Sequence, residues 1–471
     1  MLAIAFMIGI SVALFALVML DMRAAFFATV FLYGVYPKFL ALGLGEQGFA
    51  LSGIRVFLVI LFLGYLIKLL MKSPQVAEGL SRIRKGKAIA ISIAIMLIAK
   101  IAGNATYGQF ALGSLGAFAD EFLTVAFAYV LACTYLRSTR DFVVLFICLS
   151  GSVIVNEIAV VAEYVRGGSI FHGLIDLQYQ TATDRDLLAG RVRDGSYRFM
   201  GLLPNPLVLA SLICISLPAM LSLVFRQRDF TARTIGAIAL AGAAPVLLLT
   251  FARAGIAVGV LIACIALYFH AVRNLDSFLR PIATVCTLAV GGTALLVVGH
   301  EIFSAVISAG GQQGIRSAQS RLLQFATVLP ALKDHLVFGV GFARNYDILL
   351  DVGNVDGHFL RTTIQGGLIG LFAFVGALTL GFKYSLEAKR FSGSDSGGSN
   401  LAADAVIATL LVLSLLMLVY SQHNTAMYIF VFLGAATSFK SGTEQEFVTR
   451  GRVAVKHEPF PVSNIDRSRQ P

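Results

Sequence analysis

The chain reads as an all-α polytopic integral membrane protein with about 12–13 transmembrane helices and a helical outer loop. Three observations lead there. Of its 471 residues, 57% are hydrophobic and only 13% charged, a balance far too apolar for a water-soluble globule. Apolar runs of about 20 residues recur along most of the length, each able to cross a ~30 Å hydrocarbon core as a helix. No ten-residue alternating pattern suggests a barrel, and lipid offers backbone groups no water, so helix is the default.

Taken in order, the spans are predicted at 1–20, 24–45, 51–71, 88–103, 118–136, 142–162, 204–225, 234–250, 254–270, 281–299, 363–382, 403–420 and 424–439. The first lacks a basic start and has Asp21-Met22-Arg23 where small residues would mark cleavage, so it reads as a span and not a signal peptide. Lys and Arg in short loops set the orientation. Loops 72–87 (Lys72, Arg82, Arg84, Lys85, Lys87), 137–141, 226–233 and 383–402 are basic and fall on one side, which makes that side cytoplasmic. Two long loops, 163–203 and 300–362, then face outward, as does the N-terminus. Residues 1–439 form one membrane domain. Residues 440–471 are polar, carry Pro459, Pro461 and Pro471, and are expected to be a disordered cytoplasmic tail. Segment 391–400 (FSGSDSGGSN) has linker composition.

The net charge of +11 is scattered through loops. Topology control and anionic lipid headgroups account for it better than nucleic acid. All five cysteines (Cys133, Cys148, Cys214, Cys264, Cys286) fall inside spans and read as small buried hydrophobes, with no disulfide framework or zinc site. No repeat of fixed period is visible.

The two outer loops differ. Loop 163–203 mixes Arg166, Arg185, Arg191, Arg193 and Arg198 with Asp176, Asp184, Asp186 and Asp194, the composition of a solvated loop. In loop 300–362, Leu322, Phe325, Leu329 and Leu332 recur at helical spacing, with Arg321, Gln324 and Lys333 elsewhere on the wheel. That pattern predicts an amphipathic helix on or near the outer membrane surface, kinked at Pro330.

Three arginines stand out. Arg253, in LLLTFARAGIAVG, sits between two apolar spans with almost no loop to hold it. A charge near membrane depth costs ~2.5–3.5 kcal/mol even on insertion scales. It is therefore either paired with a buried carboxylate, for which Glu157 and Glu163 are candidates, or set to meet an anionic ligand. Arg198 stands just before a span, and Arg321 opens the amphipathic helix. Each alone is more often an interfacial anchor. Together at one membrane face the three form a candidate diphosphate clamp, because guanidinium is a planar fork of donors that stays charged.

His358, in NVDGHFLRTT, lies just before the outer end of a span. A lone histidine is usually a packing residue, but this one can serve as a general base near neutral pH, oriented by Asp356 or Asp351. His300 and His335 are rivals in the same loop. Asp347, Asp351 and Asp356 lack an Asp-x-Asp arrangement, so no metal site is supported. Gly339-Val340-Gly341 follows no strand and is no dinucleotide fingerprint, and no P-loop, Gly-x-Ser-x-Gly or His-Glu-x-x-His occurs.

Over residues ~195–380 these segments resemble the bacterial O-antigen polymerase and O-antigen ligase superfamily of membrane glycosyltransferases. The resemblance runs through Arg198, Gly201 and Pro204-Asn205-Pro206, then Thr250 to Arg253, then Arg321-Leu322 leading to Gly339-Val340-Gly341. It ends on His358 and Gly367-Leu368-Ile369-Gly370. Two departures concern substrate contacts: Phe359 follows His358 where the family often has Asn, and Leu207 stands where it often has a second Asn.

The resemblance implies a GT-C-like helical fold in the bacterial inner membrane with its active site on the periplasmic face. It also implies transfer of a glycan from undecaprenyl diphosphate to an acceptor hydroxyl, with inversion and without metal or other cofactor. Arg198, Arg253 and Arg321 would hold the diphosphate and His358 would take the proton. Two sizeable outer loops favour a polymerase of lipid-linked repeat units over a ligase to lipid or protein. Other polysaccharide-assembly membrane proteins are the implied protein partners. A transporter or lipid-linked sugar flippase is the reading of another class.

Overall fold

Short polar side chains mark where the helices start. Asp21, Ser52, Asn205 and Asp229 each accept a backbone amide from the first turn of the helix that follows. Ser138 and Asp141 form a full capping box. Such caps satisfy amides that have no partner inside the helix, each contributing about 1 kcal/mol. The computed structural model describes residues 2–37, 41–44, 49–106, 112–170, 192–193, 196–252, 255–263, 324, 326–328, 330, 332–342, 355, 357–391, 397–419 and 422–440.

The helices are α1 (Leu2–Leu20), α2 (Met22–Val35), α3 (Gly53–Leu70), α4 (Pro74–Lys85) and α5 (Lys87–Thr106). They continue with α6 (Leu112–Glu121), α7 (Ala128–Tyr135), α8 (Thr139–Arg166), α9 (Pro206–Arg226) and α10 (Phe230–Leu249). The last three are α11 (His358–Phe391), α12 (Gly397–Val419) and α13 (Ala426–Lys440). Residues 255–263 are also helical. A π-helical segment, Phe122–Phe127, joins α6 to α7. Among the described residues there are also two 3-10 turns (Lys333–His335 and Gln422–Thr425) and two ribbons of two strands: β1 (Ala41–Leu44) with β2 (Phe49–Ser52), and β3 (Val192–Arg193) with β4 (Ser196–Tyr197).

The chain is an all-α polytopic membrane protein. Among the described residues, 7 helices are long and apolar enough to cross a membrane, and four shorter apolar helices accompany them. The predicted spans coincide with helices, with three differences. Span 24–45 stops at Val35 and resumes as strand β1. Span 142–162 extends to Arg166, where Gly167 at φ 68 closes it. Gly397–Asn400, assigned to a linker, opens α12. Span 281–299, most of 254–270 and the tail from 441 lie outside the described residues.

Helix α9 is the central one: 83% of its apolar window is buried, against 28% for α10. It packs on α8, α10 and α12, while α5 lies along α11. One end of the bundle carries the basic loops. There the segment 72–87 forms α4, whose Gly79 lies against Thr134. Arg82 donates to the Leu136 carbonyl (3.2 Å), Arg137 pairs with Glu78 (2.8 Å), and Arg23 pairs with the buried Asp141. Phe142 stacks on Phe439 at 4.9 Å, so α8 starts where α13 ends. Lys389 pairs with Asp404 (2.7 Å) and Lys440 with Glu387 (3.3 Å), so α11 ends and α12 starts at this same end. The far ends of α8 and α12 are therefore at the opposite face, where the candidate site lies.

Candidate functional site

The first part of the site is the turn Arg198–Asn205. Pro206 at the first helical position and Asn205, which accepts from the Val208 amide (2.9 Å), fix the start of α9. The preceding residues are held by two side chains of α8. Glu163 Oε2 accepts from the amides of Met200 and Gly201, both at 3.0 Å. Asn156 Oδ1 accepts from the Leu202 amide (3.1 Å), while its Nδ2 donates to the Gly34 carbonyl (2.9 Å). Glu163, a candidate partner for Arg253 by sequence, is thus an acceptor for the backbone beside Arg198.

Arg198 reaches across this turn. Its Nε donates to the Thr250 carbonyl at 3.1 Å, and the Phe199 amide donates to Leu249 at 3.3 Å. Thr250 begins the turn after α10, closed by its own Oγ1 donating to Leu247 (2.7 Å). Phe251 there has φ 51, a left-handed conformation that is costly for an aromatic residue. Two motifs about 50 residues apart in sequence, Arg198 and Thr250, are therefore in contact. Arg253, Arg321 and Asp356 lie outside the described residues. Glu157 is 8% exposed, packs against Gly242 of α10, and its Oε1 meets no hydrogen-bond partner among the described residues.

The second part is the start of α11. The helix is not straight: Gly367 has φ 61 and ψ −162. The His358 ring centroid lies 5.3 Å from that of Phe374, and Phe359 lies 5.9 Å from it. In a straight helix His358 and Phe374 would be about 24 Å apart along the axis. The chain therefore folds back at Gly367, and His358 opens a half-helix lying against the span, where the sequence predicted a loop residue just before an unbroken span beginning at 363. Beyond the elbow, Leu368 to Phe391 alone is ~36 Å long, enough for a full crossing.

A broken helix exposes carbonyls before the break and amides after it, which lipid cannot satisfy. Residues 336–341 supply the partners. The amides of Val340 and Gly341 donate to the carbonyls of Ile364 (2.8 Å) and Gln365 (3.0 Å). In return the amides of Leu368 and Ile369 donate to Leu336 (2.8 Å) and Val337 (3.3 Å). A Cβ at Gly367 would overlap the Val337 carbonyl. The Gly-Val-Gly motif is thus a plug for the break in Gly-Gly-Leu-Ile-Gly.

Part of the amphipathic stretch before it is described. Val328 and Leu332 are fully buried in a small cluster with Val340, Val355, Leu360 and Ile364. Gln324, placed on the polar side, is 3% exposed. Leu332, the one predicted apolar-face residue among those described, packs on protein. Leu322, Phe325 and Leu329 lie outside the described residues.

Side chains missed by the sequence reading anchor the plugged elbow. Lys100 of α5, 4% exposed, pairs with Glu121 of α6 and donates to Gln365 Oε1 at 3.0 Å, with the Phe342 ring 5.8 Å away. Asn104 Oδ1 accepts from the Phe342 amide at 2.6 Å. Beside them Arg55 pairs with Asp120 at 2.9 Å. The signal was present: Lys100 is a charge inside span 88–103, the same argument that singled out Arg253. Among the described residues no group of three His, Cys, Asp or Glu could hold a metal ion.

No protein-family model matches this chain, and no curated protein matches its sequence.

Proposed function

We propose that this protein is a bacterial inner-membrane glycosyltransferase that polymerises repeat units carried on undecaprenyl diphosphate, acting at the outer face. The observation that carries the reading is the Arg198–Thr250 contact of 3.1 Å. It brings one guanidinium to the turn that leads to Arg253, as two motifs of one diphosphate site require. In this mechanism the acceptor hydroxyl attacks the anomeric carbon as the bond to the diphosphate oxygen breaks, inverting that centre. The electron pair leaves with undecaprenyl diphosphate, whose growing charge Arg198, Arg253 and Arg321 stabilise as preorganised cations. His358 takes the hydroxyl proton. Its place on a folded-back half-helix suits that role, because a base must be held to a fixed geometry. Transfer to a lipid or protein acceptor, as by a ligase, uses the same groups.

One observation favours a second reading. A discontinuous helix beside the buried Lys100–Glu121 pair is how many transporters build a substrate site. Purified protein given lipid-linked repeat units separates the readings. Products longer than one repeat support a polymerase, transfer only onto a separate acceptor supports a ligase, and labelled-sugar movement in vesicles without a covalent product supports a transporter.

A further inference from the structure

The elbow at Gly367 and the plug 336–341 are stitched into one body by four backbone hydrogen bonds. What matters for His358 is where that body is held relative to the bundle. The body meets α5 at two polar side chains, Lys100 through Gln365 and Asn104 through the Phe342 amide. Gly103 lies between them with room for no side chain, since a Cβ there would crowd the carbonyl of Phe338 and the amide of Gly341. Gln365 is seven residues after His358, two turns along the half-helix and on the same face. A shift of Gln365 therefore moves His358 with it as a rigid arm.

Lys100 is itself restrained. Glu121 accepts a hydrogen bond from its ammonium, and Glu121 stands at the junction of α6 with the π-helical segment, whose wider turn is a frequent mark of functional sites. Next to it Asp120 engages Arg55 of α3, so consecutive carboxylates tie α6 to two other helices. The ammonium is thereby held from α6 and offered to α11.

We infer that Lys100 is a positioning residue for His358. Through Gln365, and together with Asn104, it fixes the angle of the folded-back half-helix and so the placement of the proposed base. The inference rests on the reading of His358 as that base, but its geometry can be tested without any activity.

The test is the rate at which diethyl pyrocarbonate modifies His358 in the full-length, detergent-purified protein, read by mass spectrometry with His457 as internal reference. His358 is half-buried against Phe374. Lys100→Met, Gln365→Leu and Asn104→Ala should each raise its rate at least several-fold relative to His457, and Lys100→Arg should stay near wild type. Gln365→Leu keeps the Lys100–Glu121 pair intact, so it reports even where Lys100→Met fails to fold. In the transfer assay Lys100→Met, Gln365→Leu and Asn104→Ala should lower kcat well beyond any change in KM, and Lys100→Arg should not. An unchanged His358 rate in folded Gln365→Leu and Asn104→Ala overturns the positioning role. A raised rate in a protein that makes no glycan product leaves the positioning role standing and removes the glycosyltransferase reading instead.

Discussion

Gly341 donates its amide to the carbonyl of Gln365 over 3.0 Å, closing a bond that a continuous helix would have made internally. The donor belongs to a loop and the acceptor to a membrane helix. The bond explains how a break persists in an apolar setting: the carbonyls of Ile364 and Gln365 and the amides of Leu368 and Ile369 regain partners from residues 336–341.

Gly367→Ala tests the elbow. The new methyl must occupy the space of the Val337 carbonyl while its residue adopts φ 61, ψ −162, a region essentially confined to glycine. Strain alone costs about 1–3 kcal/mol, and the overlap adds to it. The apparent Tm of the detergent-solubilised protein should fall by at least several degrees. An unchanged Tm would mean that the elbow is not folded as described.

Glu163 tests the Arg198 turn. Glu163→Ala strands the buried amides of Met200 and Gly201, at about 1–3 kcal/mol each. Glu163→Gln keeps an acceptor oxygen and should cost clearly less. Thermal stability measured side by side should rank wild type, Gln and Ala in that order. Equal stability of Gln and Ala variants would assign Glu163 a charge-pairing role instead.

Glu157 is predicted to tolerate what Glu163 does not. Its Oε1 finds no hydrogen-bond partner among the described residues, and burying a carboxyl that way is unfavourable. Glu157→Gln should leave Tm unchanged or raise it slightly. A marked loss would reveal an ion pair that the carboxylate supports, with Arg253 the first candidate.

The helical layout was legible because lipid reduces the problem to apolar length and loop charge, and ten of the predicted spans can be checked against described helices of similar bounds. The elbow was not legible. The predicted span 363–382 carries no charge and no proline, so hydropathy reads it as one rod although Gly367 lies inside it. The break is specified by Gly366-Gly367 together with a loop some 25 residues earlier, a pairing that no local periodicity reports. Arg198 and His358 stand out in the sequence because charge or imidazole near a membrane is conspicuous. Lys100 was passed over for the opposite reason, a single charge diluted in a long apolar run. Glu163 was noticed as a candidate partner for a cation, whereas its bonds to the amides of Met200 and Gly201 carry no sequence signature.

The central claim is that His358 and Arg198 serve one glycan-transfer site. The direct measurement is product sizing after purified wild type, His358→Ala and Arg198→Ala are incubated with undecaprenyl-diphosphate-linked repeat units, with and without EDTA. The account predicts multi-repeat product from wild type whether or not EDTA is present, and a loss of at least ~100-fold in rate in each variant at unchanged membrane content. Wild-type rates in both variants would contradict it.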